Sequence, residues 1–157
     1  MNTRASAAQG RPLTVFLVSA VTTLLMDQVS KALAAAVLRP EVPVPLFGSP
    51  VRLTLLHNTG MAFGVAMPSA GLLAVGVLVS LAIVWYAARE SGLSQHPRYA
   101  LALGMVLGGS LGNLTDRIRT RGVTDFIDLR FWPVFNLADV AIAAGFALLA
   151  VQALRAR

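Results

Sequence analysis

Four long apolar segments are the feature that most restricts the fold of this chain. They cover residues 13–38, 70–88, 99–115 and 137–154. A helix needs about 20 predominantly apolar residues to cross the ~30 Å hydrocarbon layer of a membrane, so each segment is a candidate span. Hydrophobic residues make up 56% of the 157 residues and charged residues only 13%, which leaves too little polar surface for a soluble protein. The pattern predicts an all-α membrane protein with four transmembrane helices.

The ends of the chain bear on its domain organisation and orientation. Residues 1–12 are small and polar, and we expect a disordered tail there, followed by one integral-membrane domain over residues 13–157. The first apolar segment is similar to a secretory signal, but Asp27 and Lys31 interrupt it where a cleavable signal would be uncharged. With four spans both termini lie on one side, and six arginines fall on each side of the membrane. Charge counting therefore leaves the orientation open.

The net charge of +6 raises the question of a polyanionic partner. The basic residues stand singly between apolar runs, whereas nucleic-acid-binding proteins cluster them on one face, so we expect membrane lipids and no nucleic acid as partners. Cysteine is absent, which excludes disulfides, thiolate metal ligands and a cysteine nucleophile. His57 and His96 fall in different loops, so no histidine-based metal site is expected.

Four of the seven carboxylates lie around the last two apolar segments, at Asp116, Asp125, Asp128 and Asp139. Charged residues near the hydrocarbon are costly, usually face other helices, and commonly mark a functional site. Asn136 stands just before the last apolar run and is the candidate helix cap. This leaves Asp139 one turn inside the span, where we expect it to face the other helices, although it could also be a simple helix-start residue.

In the first segment, Asp27 and Lys31 are four residues apart and therefore share one helix face. Each can neutralise the other, and we interpret them as a structural polar pair. Lys31 is the only lysine, so a serine–lysine protease dyad using Ser30, Ser110 or another serine is the alternative. A neighbouring carboxylate keeps the ammonium charged, which opposes that catalytic role.

Two further patterns describe the surroundings of these polar residues. Gly104, Gly108 and Gly112 recur every four residues in the third segment, which lets another helix approach that face closely. After the first segment, VRLTLL (51–56) alternates like a half-buried strand, and Asn58 and Gly60 suit a turn with unusual backbone angles.

Five motifs resemble, in the same order, the successive motif blocks of the lipoprotein signal peptidase (signal peptidase II) family: DQVSK, NTGMAF, GGSLGNLTDR, VTDF and FNLAD. The resemblance covers the chain from Asp27 to Asp139 and implies that Asp125 and Asp139 are the catalytic aspartates. It also implies a set of residues that line the substrate site, namely Asn58, Gly60, Asn113, Arg117 and Asn136. The chain departs from the family pattern at Val140, where serine is frequent, and in a short linker between the two aspartates.

The family resemblance also implies a location and a reaction. The termini would be cytoplasmic, and the site would lie near the outer surface of the bacterial cytoplasmic membrane, under a small extramembrane β-sheet and loop. The protein would be an aspartyl endopeptidase that cleaves diacylglyceryl-modified prolipoproteins just before the lipidated cysteine, without a metal or organic cofactor. Lipopeptide antibiotics that block the family would compete with this substrate. We expect a monomer.

The chemistry of two neighbouring aspartates is consistent with such a reaction. Two close, partly desolvated carboxyl groups cannot both ionise easily, so the pair holds one proton, and one member acts as base while the other acts as acid. Asp128, three residues from Asp125, is a rival for membership of the pair. Two other classes stay open: a structural membrane subunit, and a carrier or channel with a proton relay through Asp27, Lys31, Asp116 and Asp139. The sequence has no internal repeat of the kind found in many carriers.

Overall fold

The fold is mostly helical. The computed structural model describes residues 3–46, 50–62, 65–66, 68–89 and 97–155, and these ranges contain four helices. They are α1 (Thr3–Val37), α2 (Ser69–Ala88), α3 (Pro97–Thr120) and α4 (Leu137–Arg155). Helix α3 packs against each of the other three. It is therefore the central helix, and its glycine-rich face is buried between its neighbours.

Three stretches of the described helices are long and apolar enough to cross a membrane, namely Pro12–Val37, Ala70–Ala88 and Leu137–Arg155. Helix α3 is not among them, because glycine, serine and polar residues replace part of its apolar content. The glycines of α3 and its residues Ser110, Asn113 and Asp116 are buried against the other helices, where close packing matters more than hydropathy. The structure thus provides three candidate membrane helices around a more polar central helix.

The beginning of α1 differs from the sequence expectation of a disordered tail. The helix starts at Thr3 and runs without interruption into the first apolar segment. Alanine, the most favourable helix former, is frequent in this stretch, and extending an existing helix avoids the unfavourable nucleation step. Residues 3–12 are therefore helical. Residues 1–2 of the expected tail and residues 156–157 of the expected domain lie outside the described ranges.

The glycine face of α3 brings this helix against α1, as the sequence predicts. A Cβ atom at Gly108 would overlap the backbone carbonyl oxygen of Ala20, and one at Gly104 would overlap Ser19. On a neighbouring face, a Cβ at Gly109 would lie 2.6 Å from the carbonyl oxygen of Ala138 in α4. The small residues thus set how closely α1 and α4 approach the central helix.

The strands in the described ranges form two small antiparallel sheets. The first contains β1 (Val44–Leu46), β2 (Val51–Asn58) and β5 (Val123–Asp128), in the order β1-β2-β5. The second is a pair of short strands, β3 (Met61–Ala62) and β4 (Val65–Ala66). The predicted strand over residues 51–56 is confirmed as part of β2. Strand β5 was not predicted from sequence, and it pairs Asp125 with Leu56 in β2.

Short connections bring the polar end of α3 to this sheet and then to α4. Helix α3 ends at Thr120, and Arg121 adopts a left-handed conformation (φ 61°) that turns the chain into β5. After β5 the chain folds back, so that Phe135 pairs with Ile127 immediately before α4 begins. The C-terminal part of α3, strand β5 and the first turn of α4 therefore meet at one end of the helices.

We expect the Gly108→Ala substitution to destabilise the protein by about 1–3 kcal/mol, the usual range for overpacking a close interface. The reason is that the overlapping atom belongs to the backbone of α1 and cannot move aside as a side chain can. The matched control is Gly71→Ala in α2, where a Cβ would have no heavy atom within 4 Å. Thermal unfolding in detergent should show a loss for Gly108→Ala and none for Gly71→Ala. Equal midpoints would contradict the close approach of α1 and α3.

Candidate active site

The two aspartates that the sequence singles out, Asp125 and Asp139, lie on either side of Asn136. Asp125 is in β5 and is only 2% exposed, whereas Asp139 is in the first turn of α4. The Asn136 side-chain Nδ2 donates to Asp125 Oδ1 at 2.6 Å, and the Asn136 backbone N–H donates to Asp139 Oδ2 at 3.2 Å. One asparagine therefore holds both carboxyl groups, close enough for their charges to interact.

The position of Asp139 follows from the way α4 begins. Asn136 is the cap, as predicted, and its Oδ1 accepts a hydrogen bond from the Asp139 backbone N–H at 3.0 Å. In turn, the Asn136 backbone N–H donates a hydrogen bond to the Asp139 carboxylate, which completes a reciprocal capping box. The carboxylate is thereby held at the helix N-terminus, where the helix dipole favours negative charge.

Asn113, from α3, joins Asp139 to the polar residues of α1. Its Nδ2 donates to Asp139 Oδ1 at 2.8 Å, and its Oδ1 accepts from Lys31 Nζ at 2.9 Å and from Asn136 Nδ2 at 3.1 Å. An ammonium group can only donate hydrogen bonds, so Lys31 requires the amide oxygen on its side. The amide NH₂ of Asn113 is consequently directed at Asp139.

Asn58 supports Asp125 from the sheet. The register of β2 and β5 places Asn58 diagonally opposite Asp125, and its Nδ2 donates to Asp125 Oδ2 at 3.0 Å. Its Oδ1 accepts from the Gly60 backbone N–H at 3.0 Å. Gly60 has a φ of 128°, a conformation that glycine adopts without strain. The predicted turn at Asn58 and Gly60 therefore exists and aims an amide at the carboxyl group.

Arg117 supplies positive charge to the same region. Its Nη1 donates to the backbone oxygen of Asn113 at 3.3 Å, and its guanidinium interacts electrostatically with Asp139, Asp125 and Asp116. The structure thus brings together every residue that the sequence assigned to the site. Val140, where the chain departs from the family pattern, is exposed on α4.

A buried charge cluster lies beneath the aspartates. Lys31 Nζ contacts Asp27 Oδ2 at 2.8 Å and Asp116 Oδ2 at 3.0 Å, and the three side chains are almost completely buried. The predicted pairing of Asp27 with Lys31 is confirmed. Asp116 was missed as a partner, although a signal existed: it follows Gly112 by four residues and therefore continues the glycine face that packs on α1.

Asp27 connects this cluster to α4. Its Oδ1 accepts the backbone N–H of Ala138 at 2.9 Å, which satisfies one of the free donors at the start of that helix. Gln28, which the sequence analysis did not assign, donates to Asp27 at 3.2 Å and to Asp116 at 3.0 Å. A Cβ at Gly112 would overlap Asp27 Oδ2, so glycine is needed there for the carboxylate to fit.

Asp128 forms its hydrogen bonds with other residues than those around Asp125 and Asp139. Its Oδ2 accepts from Arg52 Nε at 3.0 Å and from Thr54 Oγ1 at 2.9 Å, and its Oδ1 accepts from the Arg130 N–H at 2.8 Å. Burial alone would raise the pKa of Asp128, but these hydrogen bonds and the Arg52 charge outweigh it and lower that pKa. Asp128 is therefore an ionised partner of Arg52 within the sheet.

Asp125 has the opposite electrostatic environment. Burial raises the pKa of Asp125 to about 6, and the negative charge of Asp139 adds to the effect. Hydrogen bonds from Asn58 and Asn136 oppose it without cancelling it. A carboxyl group with a pKa in this range can hold or release a proton near neutral pH, as an acid or base in catalysis must.

The chain is similar to known proteins over most of its length. The lipoprotein signal peptidase of Moorella thermoacetica is 44% identical over 139 residues, which are 88% of this chain and 92% of that protein. The lipoprotein signal peptidase of Mycobacterium avium is 41% identical over 161 residues, covering 95% of this chain and 85% of that protein.

Two solved structures of bacterial membrane enzymes share the fold. One has a TM-score of 0.80 at 24% identity and covers 89% of this chain and 87% of its own, and the other has a TM-score of 0.78 at 25% identity, with 88% and 92% covered. The family model described as signal peptidase (SPase) II matches residues 19–155, a range that includes every residue of the network described above. The chain therefore belongs to the signal peptidase II family.

Proposed function

We propose that this protein is a prolipoprotein signal peptidase of the aspartic type, with Asp125 and Asp139 as its catalytic pair. The observation that carries the proposal is the arrangement around Asn136, which holds a buried aspartate and a helix-capping aspartate through one side chain and its backbone. Membership of the family implies a peptidase that removes signal peptides from bacterial lipoprotein precursors. The two carboxyl groups supply the acid and the base that peptide hydrolysis by water requires.

The environments of the two aspartates favour a division of roles. Asp125 is the more buried member and its raised pKa favours the protonated form, so we assign it as the proton donor to the scissile carbonyl oxygen. Asp139 lies at the positive end of the α4 dipole and accepts two N–H donors, which stabilise its ionised form. We assign it as the base that takes a proton from the attacking water. No acyl-enzyme intermediate is needed in this reaction.

The surrounding amides fix the geometry of the pair. Asn58 and Asn136 each donate to one oxygen of Asp125, and Asn113 together with the Asn136 backbone donates to the two oxygens of Asp139. These contacts limit rotation of both carboxyl groups and so preorganise the acid and the base. We propose that Asn58, Asn113, Asn136 and Arg117 line the bound substrate as well as positioning the aspartates, and that Gly60 provides close approach at the edge of the site.

Lys31 has a structural role in this proposal. Its ammonium contacts two carboxylates and the oxygen of Asn113, and all three contacts favour the charged form. A lysine that acts as a base must instead be neutral and directed at its nucleophile. Ser30, one of the serines considered for such a dyad, donates its hydroxyl to the backbone oxygen of Asp27 at 2.8 Å. The contacts therefore favour the two-aspartate reaction over a serine–lysine reaction.

The membrane arrangement completes the proposal. We propose that α3 is the fourth span of a single integral-membrane domain, because α1, α2 and α4 surround it. The termini would be cytoplasmic, and the aspartates would lie near the outer surface of the cytoplasmic membrane beneath the sheet of β1, β2 and β5. The substrate would be diacylglyceryl-modified, cut just before the lipidated cysteine, and the protein would act as a monomer without a cofactor. Lipopeptide antibiotics would compete for the same place.

The decisive experiment is cleavage of a lipidated lipoprotein precursor by the purified protein in detergent. A peptidase releases the signal peptide and leaves the lipid on the mature part. A carrier or a structural subunit would give no cleavage, and a carrier would instead move its solute in liposomes. A precursor that lacks the diacylglyceryl group tests the substrate assignment, because the proposal expects that precursor to be cleaved poorly.

The roles of the aspartates predict the effect of amide substitutions. Asp125→Asn and Asp139→Asn should each reduce the rate of precursor cleavage by at least ~100-fold, because an amide keeps the shape of the side chain but cannot exchange the proton. Single-turnover cleavage in detergent, with thermal unfolding as a check on folding, measures the effect. If either folded variant kept more than a few per cent of the parent rate, that residue would be removed from the mechanism.

Asp128→Asn is the matched control for these two variants. Asp128 contacts Arg52, Thr54 and Arg130, so its loss should lower stability while leaving the rate of the folded protein within a few-fold of the parent. A stable but inactive Asp128→Asn protein would move the catalytic pair to Asp128.

The pKa of Asp125 predicts the pH dependence of cleavage. Below pH about 6 Asp125 is protonated and can donate, and above it the proton is lost, so kcat/KM should fall as the pH rises through about 6. The ratio kcat/KM is the appropriate measure because it reports the ionisation of the free enzyme. A kcat/KM that instead rises through pH 6 would reverse the roles of the two aspartates.

The charge cluster predicts how Lys31 substitutions behave. Lys31→Met leaves Asp27 and Asp116 without their shared cation, and losing one partner of a buried ion pair costs roughly 3–5 kcal/mol. The double variant Lys31→Met with Asp116→Asn removes one of the uncompensated charges and should recover part of that loss in thermal unfolding. A Lys31→Met protein that is fully stable yet inactive would support the lysine as a base.

A further inference from the structure

A cavity lies at the end of the helices opposite the aspartates, between the first turn of α3 and the last turns of α4. It suggests a second site. We call it the distal cavity. Its volume is about 680 Å³, and its walls include Arg98 and Tyr99 from α3 with Leu148, Val151 and Arg155 from α4. Nothing in the proposed peptidase reaction uses these residues.

The distal cavity is remote from the aspartates. Arg155 follows Asp139 by sixteen residues in one continuous helix, which corresponds to about 24 Å at 1.5 Å per residue. This separation is close to the ~30 Å thickness of the hydrocarbon layer. A helix that spans the membrane with Asp139 at one interface therefore places Arg155, and the cavity with it, at the other interface.

The described carboxylates are distributed unevenly between the two ends of the helices. The carboxylates in the described ranges all lie at the aspartate end or in the loops next to it, and Glu90 is outside those ranges. Among the described residues the ion pairs involve Lys31 and Arg52, so no described carboxylate neutralises Arg98 or Arg155. The distal cavity thus has two guanidinium groups that retain their positive charge.

We propose that the distal cavity binds an anionic phospholipid from the membrane leaflet on that side. Arginine guanidinium groups match the oxygens of a phosphate with paired, charge-assisted hydrogen bonds, so Arg98 and Arg155 would hold the headgroup. Val151 and Leu148 lie one and two turns before Arg155 on α4 and provide an apolar wall for an acyl chain. The cavity offers cationic and apolar surface together, and a phospholipid contacts both whereas free phosphate contacts only the first.

Binding at this position would add a contact between α3 and α4 at the end of the two helices farthest from β5 and the aspartates. A ligand that binds only the folded protein stabilises it by mass action. The expected effect is therefore a higher thermal midpoint in the presence of the lipid. Cleavage of substrate in detergent should change little when the lipid contacts are removed, because the aspartates are a membrane thickness away.

The test uses the purified full-length protein in detergent, titrated with dioleoylphosphatidylglycerol and, for comparison, with zwitterionic dioleoylphosphatidylcholine and with inorganic phosphate. Thermal midpoints and lipid retention in native mass spectrometry are the measurements. Arg98→Gln and Arg155→Gln should each weaken phosphatidylglycerol binding about fivefold, since an arginine near an anionic surface contributes roughly 1 kcal/mol. The double variant should be weakened about 25-fold if the two contributions add.

Two further variants make the result specific to the cavity. Arg119→Gln is the matched control, because it removes an exposed arginine from the opposite end of the same helix α3 and should leave lipid binding unchanged. Val151→Trp fills the cavity without changing any charge, and it should also weaken binding of phosphatidylglycerol.

Three outcomes would overturn the proposal. The first is equal binding of phosphatidylglycerol and phosphatidylcholine by the parent protein. The second is an equal loss of binding in Arg119→Gln and in the Arg98/Arg155 double variant, which would indicate general charge attraction. The third is stabilisation by inorganic phosphate that matches that of the lipid, which would indicate a simple anion site. None of these outcomes bears on the aspartates, because precursor cleavage is measured separately.

Discussion

The contact on which the rest of this structure depends is that of the Lys31 ammonium with Asp27, Asp116 and Asn113. A buried ammonium group is stable only if carboxylates and other hydrogen-bond acceptors replace the water that it loses. Helices α1 and α3 supply these groups to Lys31. Two carboxylates around one cation leave excess negative charge. The backbone N–H of Ala138 and the guanidinium of Arg117 offset part of it. The cluster therefore joins α1, α3 and the start of α4 in one electrostatic unit.

This unit also orients the side chains around Asp125 and Asp139. The charge of Lys31 fixes which way the Asn113 amide points, and the amide then directs its NH₂ at Asp139. Asn136 continues the chain of hydrogen bonds from Asn113 to Asp125. A buried, fully hydrogen-bonded network of this kind resists rearrangement, because any rotation leaves a polar group without a partner. Asp125 is buried within this network, and that burial is what raises its pKa.

The parts of the fold that sequence predicted are those that depend on short spacings. The pair Asp27 and Lys31 is one helical turn apart, the cap at Asn136 precedes an apolar run, and the α3 glycines share a face by periodicity. The contacts that escaped prediction join residues far apart in the chain. Asn58 reaches Asp125 across 67 residues only because β5 pairs with β2, and Asp116 reaches Lys31 only because of how α3 lies on α1. No local pattern determines such pairings.

Helix α4 has an acidic residue at its start and a basic residue at its end. Asp139 is in its first turn and Arg155 is in its last, so each complements the helix dipole at its own end. At the first turn the Asp139 carboxylate gains amide donors and the Arg117 charge, which would hold it in place for its proposed role as the base. At the last turn no described carboxylate forms an ion pair with Arg155. The two ends of α4 therefore differ in their described contacts: amide groups donate to Asp139, whereas no described carboxylate pairs with Arg155, for which we propose a lipid headgroup as the partner.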